Sequence, residues 1–253
     1  PKVFESQPEF LRKSMNRDRY FWRWDTEEKY QNNMRNYLRM ISGIDHAIGR
    51  VIKELKSQGM AQNTVLIYMA DNGYYAASRG FAGKWSHYEE SQRVPLIIFD
   101  PRAKKEARGK REKGIALNVD IAPTIVALAG ARMPEGYQGR SLTSSLEGNV
   151  EKKSPEDFFC EHRMNNRSIP KWEGVRGQRY KYARYYEQDP PYEFLHDLES
   201  DPMELKNLVS DPNYKKKLEE LRNRCSLLSA KYDDQAKADS RKVLRSVQFG
   251  LLD

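Results

Sequence analysis

A long amphipathic repeat stands out near the start of the chain. Apolar residues recur at three- and four-residue spacing between Thr26 and Gly59, which is the period of one helix face. Thr26 suits the N-cap position, acidic Glu27 and Glu28 suit the first turn, and Gly59 suits the C-terminal stop. The pattern predicts one long helix that packs into the core through a single stripe, formed by Tyr37, Leu38, Ile41, Ile44, Ile48, Val51, Ile52 and Leu55.

Two short, continuous apolar runs follow that helix. They are Thr64–Ala70 and Val94–Phe99, and runs of this kind are typical of strands buried on both faces. Pro95 favours a sheet edge or a strand start, because proline cannot donate to a ladder. Residues 122–130 predict a helix that opens with Ala-Pro-Thr and closes at Gly130. This order of elements predicts an α/β fold, with part of a mainly parallel sheet flanked by helices.

The composition changes at residues 146–155, where Glu-Gly-Asn and Lys-Lys-Ser-Pro indicate a linker. We expect the C-terminal part of a large α/β domain, incomplete in this chain, at residues 1–148. A small C-terminal α+β subdomain with an antiparallel sheet and a helix is expected at residues 149–253. Cys225 is expected as a buried apolar residue of that helix, and the tail after Tyr232 as loosely ordered. The predicted elements are the strands Phe158–Arg163, Glu173–Arg176, Tyr180–Tyr186 and Phe194–Leu198, and the helix Tyr214–Leu228.

The chain is basic, with 44 lysines and arginines against 36 acidic residues and a net charge of +8. This surplus favours polyanionic partners such as sulfated sugars, although a well-solvated basic surface is the simpler interpretation. Aromatic and basic residues are mixed at Arg19–Trp24, which suits either a loop packed on the core or the wall of a sugar site. No apolar run is long enough to cross a bilayer. Cys160 and Cys225 form neither a disulfide framework nor a zinc-site spacing.

The candidate chemistry begins directly after the first predicted strand, at Asp71-Asn72-Gly73. Ligand sites of open α/β sheets gather at the carboxyl ends of strands. A carboxylate beside a carboxamide offers oxygen ligands to calcium or magnesium. Taken alone, however, this tripeptide is an ordinary turn sequence.

From Asp71 onward the sequence closely resembles the sulfatase family of the alkaline-phosphatase-like superfamily. That family ends a core strand in Asp-Asn or Asp-His and continues through a glycine-rich loop to Gly-Lys. A Tyr-Glu-Glu segment and a Val-Pro-Leu-Ile-Ile strand follow. Here those places are taken by Gly83-Lys84, Tyr88-Glu89-Glu90 and Arg93–Ile98. Further motifs match in family order: Tyr37–Asp45, Ile48–Val51, Asp120–Thr124, Gln138–Leu142 and Asp197–Leu208.

By this resemblance, Asp71 and Asn72 are two ligands of a calcium ion, with Mg²⁺ as the alternative, and Lys84 contacts a sulfate oxygen. The chemistry agrees, because a metal ion and an ammonium beside a sulfate offset the charge that builds on its oxygens during attack. His87 lies near Lys84 and is a candidate donor or acid, while a polar loop histidine is an equally good interpretation. The resemblance also suggests candidate substrate-binding residues in the smaller subdomain: His162, Arg163 and Arg176.

Two other charged groups in the sequence favour structural interpretations. Glu89 and Glu90 look like a carboxylate pair, but adjacent side chains point apart on a helix or strand. We interpret them as structural, with Arg93 as the ion-pair partner of one of them. The run Lys104–Arg111 is interpreted as a solvated loop.

The family's nucleophile is a formylglycine, made from the cysteine of a Cys-x-Pro-Ser-Arg motif near the N-terminus. Neither Cys160 nor Cys225 stands in such a motif. Two ligands also fall short of the roughly six to eight oxygens that calcium takes. We therefore expect this chain to be the C-terminal half of a longer polypeptide, whose missing N-terminal half supplies the formylglycine and the other ligands. This fragment alone is expected to be inactive, and a naturally truncated relative is the alternative.

The expected function is that of a sulfuric ester hydrolase. The basic, aromatic surface favours a sulfated carbohydrate over a small aryl ester as its substrate. One alternative is a phosphodiesterase or phosphomonoesterase of the same superfamily, and another is a non-catalytic fragment that binds polyanions. No motif that reads nucleic acid is present in the sequence. The family resemblance implies a periplasmic or extracellular location, which the chain alone does not indicate.

Overall fold

The computed structural model describes the backbone of residues 2–147 and 154–249, and the side chains of these residues except 106 and 238–249. The chain divides into two compact units, residues 1–156 (unit 1) and residues 157–253 (unit 2). The predicted domain boundary at 148/149 lies outside the described residues and stays a prediction. Among the residues described, no helix combines the length and the apolar character that a membrane crossing requires.

Unit 1 begins with three short helices, α1 (Lys2–Glu5), α2 (Glu9–Arg12) and α3 (Met15–Arg23). The segment Arg19–Trp24 therefore lies on a helix over most of its length, and the loop interpretation is wrong. Arg17 connects α3 to other parts of unit 1. Its guanidinium lies 3.9 Å from the ring centroid of Phe4 and donates to the backbone carbonyl of Gly80 (2.9 Å).

Helix α4 (Glu27–Ser57) agrees with the predicted long helix at both ends. The Thr26 hydroxyl caps it by accepting from a backbone amide of the first turn (3.2 Å), and Gly59 takes the left-handed backbone that stops it (φ 69°). No residue of α4 is buried among those that the structure describes, and Leu38 and Val51 are 54% and 52% exposed. The prediction that its apolar stripe packs into a core is therefore wrong for the described residues.

Unit 1 contains a two-stranded sheet of β1 (Leu66–Met69) and β2 (Leu96–Phe99), both inside the predicted runs. The strands pair antiparallel, with Ile67 opposite Ile98, so the prediction of a mainly parallel sheet is wrong for this pair. The connection explains the difference. Residues 70–95 hold only helical turns of three or four residues, whereas parallel neighbours are joined by a crossover, usually a full helix.

A buried carboxylate organises the segment that follows β2. Asp120 accepts hydrogen bonds from the backbone amides of Leu117 (2.9 Å) and Arg140 (2.8 Å). The Thr124 hydroxyl donates to the Asp120 carbonyl (2.6 Å). These bonds hold together the loops on the two sides of the predicted helix. The helix itself is confirmed. The remaining helices of unit 1 are α5 (Glu89–Gln92), α6 (Ile121–Leu128) and α7 (Thr143–Leu146).

Unit 2 is an antiparallel four-stranded sheet with a long helix. The strands pair in chain order, each with the next, and α8 (Lys215–Phe249) follows them. The predicted antiparallel sheet and helix are confirmed. The helix extends well past Tyr232, so the prediction of a loosely ordered tail is wrong. The segment lacks proline and glycine up to residue 249 and is rich in lysine, arginine and alanine, which favour helix. The strands are β3 (Asp157–His162), β4 (Trp172–Gly177), β5 (Tyr180–Tyr185) and β6 (Tyr192–Asp197).

The core of unit 2 lies between one face of this sheet and one face of α8. Cys225 is fully buried there, as the sequence predicts, and burial raises the pKa of its thiol to about 12. The thiol is therefore protonated and unreactive at neutral pH. The buried core residues are Val175, Tyr182, Leu195, Leu218, Leu221, Cys225 and Leu228.

Ion pairs reinforce unit 2 at its sheet edge and inside it. Lys181 and Glu204 form a fully buried pair, with 2.7 Å between Nζ and Oε1. Arg179 donates twice to the carboxylate of Asp197 (2.9 and 2.8 Å), and these hydrogen bonds hold the pKa of Asp197 below its usual value. Protonation of Asp197 would weaken its interaction with Arg179.

Candidate active site

Asp71 and Asn72 lie just beyond the carboxyl end of β1, where the sequence predicts a ligand site. Oδ1 of Asp71 accepts from the backbone amide of Asn72 (2.9 Å), and the Asn72 amide nitrogen donates to the Gly73 carbonyl (2.8 Å). The Asp71 side chain is exposed and that of Asn72 is half-buried. These bonds turn the carboxamide oxygen of Asn72 away from its own backbone and leave it available to a cation.

Lys84 supplies that cation. Its ammonium donates a short hydrogen bond to Oδ1 of Asn72, so the structure brings together two of the predicted site residues. The flanking backbone is unusual, because Gly83 and Trp85 have φ angles of 103° and 83°. A left-handed conformation is strained for tryptophan, and such strain persists only where the surroundings fix it. The turn therefore presents Lys84 in a defined direction.

The loop between β1 and α5 is fixed at its start by close backbone packing. The amide of Gly73 donates to the Ser91 carbonyl (2.9 Å), and a Cβ at Gly73 would lie 2.1 Å from the carbonyl oxygen of Glu90. Only glycine fits such an approach. Two residues on, the amide of Tyr75 donates to the Gly83 carbonyl (2.9 Å), and the Tyr75 side chain is fully buried. The metal-ligand candidates and Lys84 therefore belong to one rigid loop.

His87 lies in the buried side of that loop. Its side chain is fully buried, and its ring centroid is 4.0 Å from that of Tyr88. The Tyr88 hydroxyl donates to Gln7 (2.6 Å), and the Arg79 guanidinium lies over the Tyr88 ring. The ring of His87 therefore helps to form a packed layer beneath the loop, and its role as donor or acid stays a prediction.

Arg79 forms an ion pair that the sequence did not predict. Its Nε donates to Oε1 of Glu90 (2.9 Å), so the partner of Glu90 is Arg79 and not Arg93, and a pair between Arg93 and Glu89 stays a prediction. The Arg79 side chain is almost fully buried, and its left-handed backbone (φ 56°) directs it inward. Glu90 is structural, as the sequence predicts.

Asn118 is a residue of this region that sequence reasoning missed. Its amide nitrogen donates to the backbone carbonyls of Asp71 (3.0 Å) and Ala70 (3.4 Å). Asp120, two residues on, fixes the turn that carries Asn118 through its bonds to backbone amides. No spacing rule connects positions 47 residues apart, so only the structure could bring Asn118 to the carboxyl end of β1.

The three substrate-binding candidates of unit 2 do not form one cluster. His162 ends β3, and Arg176 stands opposite Phe158 near the start of β3. The two therefore share a face of the sheet but lie ~13 Å apart along it. Arg163 pairs with the carboxylates of Glu161 (2.6 Å) and Asp233 (2.7 Å). Its positive charge is already matched within unit 2.

Of the three candidates, His162 has a ring nitrogen without a hydrogen-bond partner among the described residues. This nitrogen, Nδ1, is buried. Burial lowers the pKa of the His162 imidazole, which favours the neutral ring. A neutral ring can donate one hydrogen bond to a sugar or a sulfate without adding positive charge.

Comparison with known proteins decides the family. Residues 4–131 match the family described as Sulfatase, and residues 78–231 match N-sulphoglucosamine sulphohydrolase, C-terminal. The chain belongs to the sulfatase family. The sequence resemblance to the C-terminal part of these enzymes is confirmed.

Curated relatives of this sulfatase chain include two from Bacteroides thetaiotaomicron. An N-acetylglucosamine-6-O-sulfatase is 34% identical over 223 residues, covering 85% of this chain and 39% of the relative. A Delta 4,5-hexuronate-2-O-sulfatase is 34% identical over 203 residues, covering 79% and 41%. The chain thus spans about two fifths of the length of these relatives.

Solved structures agree with the mixed α/β fold and its C-terminal antiparallel sheet. A protein bound to its substrate D-glucosamine-2-N,6-O-disulfate matches with a TM-score of 0.74 at 33% identity, over 81% of this chain and 42% of that one. A phosphonate monoester hydrolase of Agrobacterium radiobacter matches with a TM-score of 0.72 at 25% identity, over 81% and 43%. The fold is therefore shared by enzymes that act on different esters.

Sulfatase-family membership implies a metal ion, and the donors at the end of β1 fit one in kind. Asp71 and Asn72 offer a carboxylate and a carboxamide oxygen, which are hard ligands suited to calcium or magnesium. In this structure the Asn72 oxygen accepts a hydrogen bond from the Lys84 ammonium, which a metal ion bound to that oxygen would displace. Among the residues that the structure describes, no group of three or more histidine, cysteine, aspartate or glutamate side chains could hold a metal. The roles of Asp71 and Asn72 as metal ligands stay a prediction.

Proposed function

We propose that this chain is part of a sulfatase that hydrolyses a sulfate ester of a carbohydrate. The observation that carries the proposal is the contact between the Lys84 ammonium and the Asn72 carboxamide oxygen beside Asp71, at the carboxyl end of β1. This contact joins a cation suited to an anionic oxygen with two oxygens suited to a metal. The relatives' names, N-acetylglucosamine-6-O-sulfatase and hexuronate-2-O-sulfatase, support a sulfated sugar as the substrate class.

Asp71 and Asn72 would hold the metal, with Ca²⁺ as the expected ion and Mg²⁺ as the alternative. A metal held by Asp71 and Asn72 would supply polarisation of the sulfate, and the formylglycine expected from the family would supply the nucleophile. Lys84 orients the sulfate and offsets the negative charge that grows on its oxygens in the transition state. The rigid loop between β1 and α5 fixes Lys84 before the substrate arrives, so little reorganisation is needed during the reaction.

We further propose that this chain acts only together with the rest of a sulfatase polypeptide. Its apolar surfaces support this: the stripe on α4 is exposed, and Ile97 and Phe99 of β2 are 60% and 52% exposed. Each such side chain gains about 1.5–3 kcal/mol when fully buried, so several together would drive association. The remaining polypeptide would cover these faces and complete the metal ligands, and this chain alone would be inactive.

His162, Arg163 and Arg176 are proposed to help select the sugar. His162 is the strongest of the three, because its buried Nδ1 has no partner among the described residues. Arg163 is the weakest, since two carboxylates already hold it. The family resemblance supports a periplasmic or extracellular location, where such sugars are met.

An ester of phosphorus is the alternative substrate, favoured by the structural match to a phosphonate monoester hydrolase. Binding of polyanions without catalysis is a second alternative, favoured by the net charge of +8. That binding would depend on salt and not on calcium.

The test measures product release by this chain alone and by the polypeptide that completes it, with calcium and with a chelator. The substrates are glucosamine 6-sulfate, an aryl sulfate and the matching phosphate and phosphonate esters. We expect calcium-dependent sulfate release by the complete polypeptide only. Faster cleavage of the phosphorus esters would replace the sulfatase proposal, and activity of this chain alone would refute its need for a partner segment.

A further inference from the structure

Helix α3 carries three arginines, of which Arg19 and Arg23 lie one turn apart on the same face. Both guanidinium groups lie near tryptophan rings. Cζ of Arg19 is 4.7 Å from the ring centroid of Trp85 and 5.9 Å from that of Trp22, and Cζ of Arg23 is 5.7 Å from Trp22. The Trp22 ring is 58% exposed. The arrangement places two rigid cations beside a flat apolar surface that remains open.

The two guanidinium groups have unmet donors. Nε of Arg19 and one Nη of Arg23 are buried without a hydrogen-bond partner, and no carboxylate of the described residues pairs with either side chain. Other arginines of unit 1 are paired, such as Arg79 with Glu90 and Arg17 with a backbone carbonyl. An unpaired, partly buried cation is costly to a fold unless another group meets it. The pair on α3 therefore lacks an anion.

Contacts to the Lys84 turn place this pair beside the proposed active site. The amide of Ala82 donates to the Asn16 carbonyl of α3 (2.9 Å). A Cβ built at Gly83 would lie 3.5 Å from Cδ of Arg19 and 3.0 Å from the Trp85 ring. Helix α3 thus packs directly on the residue before Lys84. The aliphatic part of the Arg19 side chain therefore lies close to the backbone that leads into Lys84.

We propose that Arg19 and Arg23 bind a second oxyanion of the substrate, a sulfate or a carboxylate, while Lys84 holds the sulfate that is hydrolysed. Planar guanidinium groups suit both oxyanions, because they donate two parallel hydrogen bonds. The exposed face of Trp22 would stack on the sugar ring between the two charges. The inference rests on the proposed function and deepens it: the preferred substrate carries two negative groups.

The test compares substrates that differ in the second charge. In the complete polypeptide with calcium, sulfate release is measured for an aryl sulfate without a second anionic group, glucosamine 6-sulfate, glucosamine 2-N,6-O-disulfate and a 6-sulfated disaccharide with a uronate. Arg19→Ala and Arg23→Ala are each expected to raise KM for doubly charged substrates by roughly 10- to 100-fold, the effect of one charged hydrogen bond. The aryl sulfate should change less than threefold in kcat/KM. The disulfate and uronate arms show which oxyanion is preferred.

Two control variants separate charge from fold. Arg19→Lys keeps the charge but not the two parallel donors, so it should lose part of the affinity. Arg111→Ala removes an exposed arginine from a loop and should leave KM and kcat/KM unchanged for every substrate. Equal losses on substrates with one and with two anionic groups in the α3 variants would overturn the subsite, since they indicate an ion pair with another part of the polypeptide. No sulfate release by the wild type would instead overturn the proposed function, and the subsite with it.

Discussion

Replacing Gly73 by alanine tests whether the loop after β1 is as tightly built as its geometry indicates. The new Cβ would lie 2.1 Å from the Glu90 carbonyl oxygen and 3.0 Å from the Ser91 carbonyl carbon, both of them backbone atoms that cannot rotate away. Overpacking of this kind costs about 1–3 kcal/mol, and loss of the bond from the Gly73 amide to Ser91 adds about 1 kcal/mol. We expect Gly73→Ala to destabilise the loop by about 2–4 kcal/mol.

Hydrogen–deuterium exchange of the peptides that cover residues 70–92 measures this opening directly. A destabilisation of the loop by about 2–4 kcal/mol should raise the exchange rates of the protected amides in these peptides by roughly 30-fold or more. Gly43→Ala is the matched control, because nothing lies within 4 Å of a Cβ at Gly43 in the middle of α4. It should stabilise the helix by about 0.5–1 kcal/mol. Unchanged exchange in Gly73→Ala would refute the claim that the loop is rigid.

Three further predictions concern the rest of the chain. Asn118→Ala should weaken calcium binding by the complete polypeptide roughly 10-fold, as loss of an outer-shell contact does, measured by calorimetry; unchanged affinity would contradict its positioning role. Leu195→Ala leaves a cavity at a fully buried position and should lower the free energy of unfolding by about 2–5 kcal/mol. Urea unfolding of unit 2 measures this loss, and an unchanged free energy would show that Leu195 is not part of the core. Arg179 lowers the pKa of Asp197, so the stability it contributes is present above the unfolded pKa of about 3.9 and is lost as pH falls through the lower folded value. Unfolding of unit 2 between pH 2 and 7 should therefore depend less on pH in Arg179→Ala, and an unchanged profile would argue against the pair.

Local patterns predicted the elements of this fold well. The apolar period and the cap at Thr26 give the ends of α4, because both depend on residues close in sequence. The apolar runs locate β1 and β2 for the same reason. The direction of β2 relative to β1 was predicted wrongly, since it depends on how residues 70–95 turn in space and not on the strands themselves.

The candidate site was predictable only where a family motif or a strand end marks it. Asp71, Asn72 and Lys84 were predicted this way, and the structure brings the last two into contact, while their roles in binding metal and sulfate stay predictions. Asn118 has no such mark, because its contacts are to residues distant in sequence. The pattern at Arg19–Trp24 allowed the wall of a sugar site, but only the structure shows that Arg19 lies beside the Lys84 turn. The exposed stripe of α4 shows the same limit: a pattern predicts which face is apolar, but not which segment covers it.

The most direct test of the central claim compares sulfate release in Lys84→Ala and Lys105→Ala variants of the complete polypeptide. Both changes remove one lysine, but Lys105 is an exposed residue at the start of a short 3-10 helix. With glucosamine 6-sulfate and saturating calcium, we predict a loss of roughly 100-fold or more in kcat for Lys84→Ala and no loss for Lys105→Ala. Equal activity in the two variants would contradict the assignment of Lys84, and with it the proposed sulfate site.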